Sequence, residues 1–243
     1  MQPLPLVLLP GLMCDHTVWQ PLYPWLASQR TCSVVDHGQA DSLVQMAQHV
    51  LQQAPPRMVL AGHSMGARVA LEVIRLAPER VSGVALLDTG YLPKPAGAAG
   101  EEEASKRFRL LSLAQQQGVR AMAADWVQGM VHPDRLTDQP LIESILQMFE
   151  RKSADVFAKQ IHALLHRPDG SDVLRSLRDL GLPTLLLCGK QDSWSPPAQH
   201  QDMQALAPHA ELALIDDAGH MAPMERPEAV ALAMQRWLAS VLA

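Results

Sequence analysis

The sequence predicts an α/β protein: a mostly parallel, doubly wound sheet with an all-helical block inserted into it. Three observations predict this. Short continuous apolar runs alternate with amphipathic helical patterns up to about residue 92, and again from about residue 182 onward. Strands buried on both faces and joined by right-handed crossovers read this way. Between them, residues 93–181 carry helical patterns and no strand. The third apolar run ends in Gly62-His63-Ser64-Met65-Gly66, in the setting of strand, sharp turn and helix.

Composition bounds the rest. At 243 residues, with 48% hydrophobic and 19% charged residues, the chain can bury a full core in one large domain with an insertion. A net charge of −5 argues against nucleic acid as a partner, since phosphate binding needs a basic face. Cys14, Cys32 and Cys188 are too few and too scattered for a disulfide framework or a zinc site, and they read as reduced thiols of a cytoplasmic protein. The apolar stretch Leu4–Leu12 has no Lys or Arg before it and is broken by Pro10-Gly11. It reads as a buried strand, not as a signal peptide or membrane span.

In order, Leu4–Leu9 is the first strand, and Asp15 or Thr17 caps a helix carrying Val18, Trp19, Leu22 and Trp25-Leu26. Cys32–Val35 is a thin second strand. Asp41-Ser42 opens a helix through Leu51, stopped by Pro55-Pro56. Arg57–Ala61 is the third strand, followed by a helix that closes at Pro78, and Val81–Leu87 is the fourth. Pro93 to Gly100 then reads as a Pro/Gly/Ala linker. Helical segments follow around Val119–Val131, Pro140–Arg151 and Ala154–His166, with Asp138 and Ser153 as caps. Pro183–Cys188 and Ala210–Ile215 resume the strands, separated by a helix from about Pro197 to Leu206. Pro227 starts a last amphipathic helix reaching Leu242. The expected divisions are 1–92 and 182–243 for the core and 93–181 for a cap.

The Gly-x-Ser-x-Gly stretch has a steric logic. A serine on so sharp a turn sits in a strained conformation that lifts its hydroxyl off the sheet, and side chains two residues to either side would collide. A random chain of this composition holds about 0.05 such matches. Serine needs a base, and the base needs a group to orient it. Asp192 lies four residues past one strand and His220 five past the last. Parallel strands point their C-terminal ends one way, so the loops bearing Ser64, Asp192 and His220 converge on one rim. Asp88 ends a strand on that same rim and stays open as the acid.

These stretches carry a resemblance. Leu8-Leu9-Pro10-Gly11-Leu12, the serine turn, Gly189-Lys190-Gln191-Asp192 and Ala218-Gly219-His220-Met221 resemble the α/β-hydrolase superfamily along essentially the whole chain. The resemblance implies Ser64 as nucleophile, His220 as general base and then acid, and Asp192 as its orienting carboxylate. It further implies an oxyanion hole from the backbone N–H groups of Leu12 and Met65. Many members carry His-Gly where this chain has Pro10-Gly11, but a backbone donor is unaffected by that change.

The expected function is a cofactor-free serine hydrolase acting on a small carboxylic ester, lactone or related acyl compound. The expected partner is that small acyl substrate, with no nucleic acid or membrane, on a monomer or homodimer. Alternatives on the same residues are carbon–carbon bond hydrolysis, thioester hydrolysis and acyl transfer. A ligand receptor or a cofactor-free lyase or oxygenase would keep the fold. Trp194, Trp126, Met122, Met130 and Met148 are candidate pocket residues. His63 is expected to pack or hydrogen-bond. His162 and His166, four apart with no third ligand nearby, read as ordinary cap histidines, so no metal is expected. Lys106, Arg107 and Arg109 read as a solvated helix face, with a substrate carboxylate as their alternative use.

Overall fold

The computed structural model describes residues 3–241. The apolar runs become six strands: β1 (Leu6–Leu9), β2 (Cys32–Val34), β3 (Met58–His63), β4 (Val81–Leu87), β5 (Thr184–Gly189) and β6 (Glu211–Ile215). They form one parallel sheet in the order β2-β1-β3-β4-β5-β6. β1, β3 and β5 are buried at every position, whereas the edge strands β2 and β6 are mostly half-exposed. The inner runs are apolar because helices cover both faces of the sheet.

The helices are α1 (Tyr23–Leu26), α2 (Leu43–Gln53), α3 (Met65–Leu76), α4 (Ala98–Gln117), α5 (Val119–Trp126), α6 (Gln139–Glu150), α7 (Ala154–Leu165), α8 (Ser171–Ser176), α9 (Pro197–Leu206), α10 (Ala222–Glu225) and α11 (Pro227–Ser240). α4 to α8 lie between β4 and β5, where no strand is formed. Ser42, Asp138 and Ser153 each accept a backbone N–H at a helix start, which fills one orphan donor of the first turn. Arg80 donates to the carbonyls of Leu51, Ala54, Pro55 and Pro56, and so closes the end of α2.

Some boundaries differ from expectation. The helix expected after Asp15 breaks into two 3-10 turns and the short α1, because Pro21 and Pro24 each remove a backbone donor. The expected linker is shorter than 93–100, since α4 starts at Ala98, directly after Gly97 with φ 63°. α5 ends at Trp126 and runs into a 3-10 turn, Val127–Gly129. Leu242 lies outside the described residues.

Candidate active site

The chain order reverses at β1: β2 lies on one side of it and β3 on the other. Such a switch point opens a crevice at the C-terminal strand ends. Leu9 of β1 pairs with Gly62 of β3, so the Pro10–Met13 loop and the serine turn leave the sheet abreast. Their approach is close. A Cβ on Gly11 would lie 2.8 Å from Nδ1 of His63 and 3.3 Å from Cβ of Ser64.

Ser64 has φ 54° and ψ −115°, a conformation that L-residues seldom adopt. The two glycines follow from contact. A Cβ on Gly62 would run into the backbone of Ala67, and one on Gly66 into the carbonyl of Leu9. Thr89 steadies the turn by donating Oγ1 to the Ser64 carbonyl at 2.9 Å.

Ser64, His220 and Asp192 form a hydrogen-bonded series. Nε2 of His220 lies 2.8 Å from Oγ of Ser64, and its Nδ1 lies 2.8 Å from Oδ2 of Asp192. The other Asp192 oxygen accepts the backbone N–H groups of Trp194 and Ser195 at 2.8 and 2.9 Å. Asp192 is 2% exposed and His220 6%. Burial alone would raise the Asp192 pKa. The charge and hydrogen bond of His220, with the two backbone donors, outweigh it and hold the carboxyl below its ordinary value.

Asp88 sits elsewhere. Its Oδ1 accepts the Gly189 N–H at 3.0 Å, and its Oδ2 has no hydrogen-bond partner and lies 3.8 Å from Nε2 of His63. Complete burial, then the Asp192 charge, pushes its pKa well above the ordinary carboxylate value and so favours the protonated form. His63, also buried, is brought down to about 3 by desolvation and by His220. It is therefore neutral and donates Nε2–H to the carbonyl of His220 at 2.8 Å.

Leu12 and Met65 line the same crevice, and among the described residues no hydrogen-bond partner is found for either backbone N–H. Two residues hold the Leu12 loop in place that sequence reasoning missed. Neutral His37 donates Nε2–H to the Pro10 carbonyl at 2.8 Å, its pKa lowered to about 4 by burial. Gln160 of α7 accepts the Met13 N–H at 2.8 Å. Glu225 was missed as well. Its Oε1 accepts the N–H groups of Gly219 and Met221 at 3.0 and 3.1 Å, and its Oε2 that of His132 at 2.7 Å. A Glu ahead of a Pro-initiated helix carries no sign of such a role.

A cavity of about 710 Å³ opens over Ser64 and His220, walled in part by Trp126, Phe149, Phe157, Met130 and Trp194. The Trp126 and Trp194 rings stack at 5.4 Å, and Trp194 lies 4.9 Å from the His220 ring. Met122 and Met148 do not reach this cavity, contrary to expectation. Both are fully buried, Met122 where α5 packs between α4 and α6. Met148 is turned about 100° around α6 from Phe149. His162 lies at the surface, with Nδ1 3.0 Å from the Asp41 carbonyl.

Known proteins support the family. Over 93% of its length the chain is 29% identical to the dihydrolipoyllysine-residue acetyltransferase component of the acetoin cleaving system of Pseudomonas putida, but it spans 61% of that protein. Over 92% of its length it is 30% identical to the pimeloyl-(acyl-carrier protein) methyl ester esterase of Klebsiella pneumoniae strain 342, of which it covers 89%. The structure is similar to that of a thermophilic esterase from Thermogutta terrifontis (malate bound). The TM-score is 0.84 at 27% identity, over all of this chain and 92% of the other. Residues 6–233 match the alpha/beta hydrolase family, and the chain, with its parallel sheet and its serine at the turn after β3, belongs to that family of enzymes.

Proposed function

We propose that the protein is a serine hydrolase that cleaves a small carboxylic ester, lactone or related acyl compound through an acyl-enzyme on Ser64. The observation that carries this reading is the unbroken series from Ser64 through His220 to Asp192, both links at 2.8 Å, with Ser64 and His220 lining the cavity. His220 takes the proton of Ser64 as the hydroxyl attacks the carbonyl, and Asp192 fixes the imidazole and stabilises its charged form. The N–H groups of Leu12 and Met65 receive the developing oxyanion. One such donor is worth about 3–4 kcal/mol of barrier. His220 then protonates the leaving alcohol, and it activates the water that frees the acid and restores Ser64.

The esterases among the similar proteins favour an ester as substrate. Residues 93–181 act as the cap, since α5, α6 and α7 supply Trp126, Phe149 and Phe157 to the cavity wall. The enzyme works without cofactor, in the cytoplasm, as a monomer or homodimer. No described helix is long and apolar enough to cross a membrane.

Labelling with a fluorophosphonate, followed by a panel of short- and long-chain esters, tests the reading. Ser64 takes the label, esters turn over rapidly, and Ser64→Ala abolishes both. Labelling without turnover of any ester points to a receptor. Proton abstraction that survives Ser64→Ala points to lyase chemistry.

A further inference from the structure

Two guanidinium groups share one carboxylate on the cavity wall, and a third stands there without one. Glu103 of α4 holds Arg167 by two hydrogen bonds, Nη1 to Oε1 at 2.6 Å and Nη2 to Oε2 at 2.8 Å, and holds Arg107 through Nε at 3.0 Å. Arg68, one helical turn past Ser64 on α3, has no acidic partner among the described residues. It donates Nη1 to the Leu92 carbonyl at 3.0 Å. All four side chains line the same cavity as Ser64 and His220, so that wall keeps an excess of two positive charges. Lys106 and Arg109, near its mouth, differ. Each has its own acid, Glu102 at 2.7 Å and Asp125 at 2.9 Å.

An excess of buried charge is costly unless something pairs with it. Burial, and then the charge of Arg167, already pulls the Arg68 pKa down to about 9, with Glu103 opposing and Arg107 adding to the effect. Arg68 is still cationic at neutral pH. Its Nη2 and Nε2 of Gln199 lie 2.9 and 2.5 Å from the point where a Cβ on Gly90 would stand. The glycine therefore leaves room for two donors to meet at the cavity wall.

We propose that this wall is a subsite for a carboxylate carried by the substrate, so that the compound cleaved at Ser64 is a half-ester of a dicarboxylic acid or an equivalent acyl compound with a free acid group. Arg68 and Arg107 bind that carboxylate by charge-assisted hydrogen bonds, which are the stronger kind. Arg167 stays locked on Glu103 and fixes the geometry of the pair. Four residues of helix put Arg68 about 6 Å along the axis from Ser64, so a spacer of a few carbons separates the free acid from the scissile carbonyl. This rests on the hydrolase reading proposed above and narrows its substrate class.

The test compares kcat/KM for the monoethyl and diethyl esters of succinate, glutarate and adipate, per ester group, in the wild type, Arg68→Gln and Arg107→Gln. The wild type favours at least one monoester over its diester by about tenfold or more. Both variants bring the ratio towards one, chiefly through KM, and added salt reduces it in the wild type. A wild-type ratio near one for all three acids overturns the subsite, as does a ratio that neither variant moves. If Arg68→Gln fails to fold, Arg107→Gln on the partly exposed α4 decides alone. Preference for a phosphate-bearing ester over the carboxylate half-esters overturns the carboxylate assignment. Diester turnover with a labelled Ser64 but no anion preference removes the subsite alone. An unlabelled Ser64 with no turnover removes the hydrolase reading itself.

Discussion

Glu225 and His220 share no hydrogen bond, yet Glu225 sets where His220 stands. One oxygen of its carboxylate accepts the N–H groups of Gly219 and Met221, on either side of the histidine, while the other accepts that of His132. Because the His220 N–H in turn donates to the Met130 carbonyl at 2.8 Å, the loop after β6 and the turn after α5 are clamped together.

Replacing Glu225 by Gln puts an amide NH₂ where a backbone donor now finds an oxygen. Hydrogen bonds to a charged group are worth about 1.5–3 kcal/mol, and a domain of this size loses roughly 2–4 °C of Tm per kcal/mol. Glu225→Gln should melt several degrees lower and lose about tenfold in kcat with little change in KM. Thermal melts and steady-state kinetics on one ester read both effects. A raised KM at normal kcat would move Glu225 from positioning to binding.

Asp192→Asn should keep the fold and lose turnover by about 10³–10⁴-fold. The Asn oxygen can still accept from Trp194 and Ser195, but its NH₂ then faces Nδ1 of His220 and imposes the wrong tautomer. Stability follows the same group. The folded pKa of Asp192 is depressed, so its contribution is fully present above the ordinary value of about 3.8 and is lost as pH falls through the folded value. The wild type should exceed the variant at neutral pH, and the gap should close in acid, as urea unfolding at a series of pH values would record.

Asp88→Asn has the opposite expectation. The raised folded pKa of Asp88 means that the folded state keeps a proton which the unfolded state releases, so this residue makes stability fall as pH rises above the ordinary carboxylate value. Asn mimics the protonated acid, can still accept from Gly189, and tolerates the φ of 49° found here. The variant should be at least as stable as the wild type at pH 7, with a flatter profile above the ordinary carboxylate value and activity within a few-fold. A loss of activity by orders of magnitude would transfer the role of the acid to Asp88.

Gly66→Ala and Gly62→Ala should abolish soluble expression or lower Tm sharply, since the added methyl meets backbone on both occasions, that of β1 for Gly66 and that of α3 for Gly62, and closely packed backbone cannot yield. Gly97→Ala provides the contrast. Its Cβ meets nothing within 4 Å, and only the backbone conformation, φ 63° with ψ −150°, is strained, a cost of about 1–3 kcal/mol. Melting curves of the three variants separate collision from conformational strain.

Local chemistry wrote the six strands, most of the helices and the serine turn into the sequence, because period, caps and glycine positions act over a few residues. It also put Ser64, Asp192 and His220 on strand-end loops, and parallel topology alone sends those to one rim. Only tertiary packing decided between Asp192 and Asp88 as the neighbour of His220, since both end strands and 104 residues of chain separate Asp88 from Asp192 with no local trace of their distances to one ring. The same holds for Gln160 and His37, which act on the Met13 and Pro10 backbone from 147 and 27 residues away, for the reach of Glu225 to His132 across 93 residues, and for Arg167, which meets Glu103 across 64 residues. Charges and donors at such distances carry no periodicity; what they do is set by which surfaces the folded chain brings together.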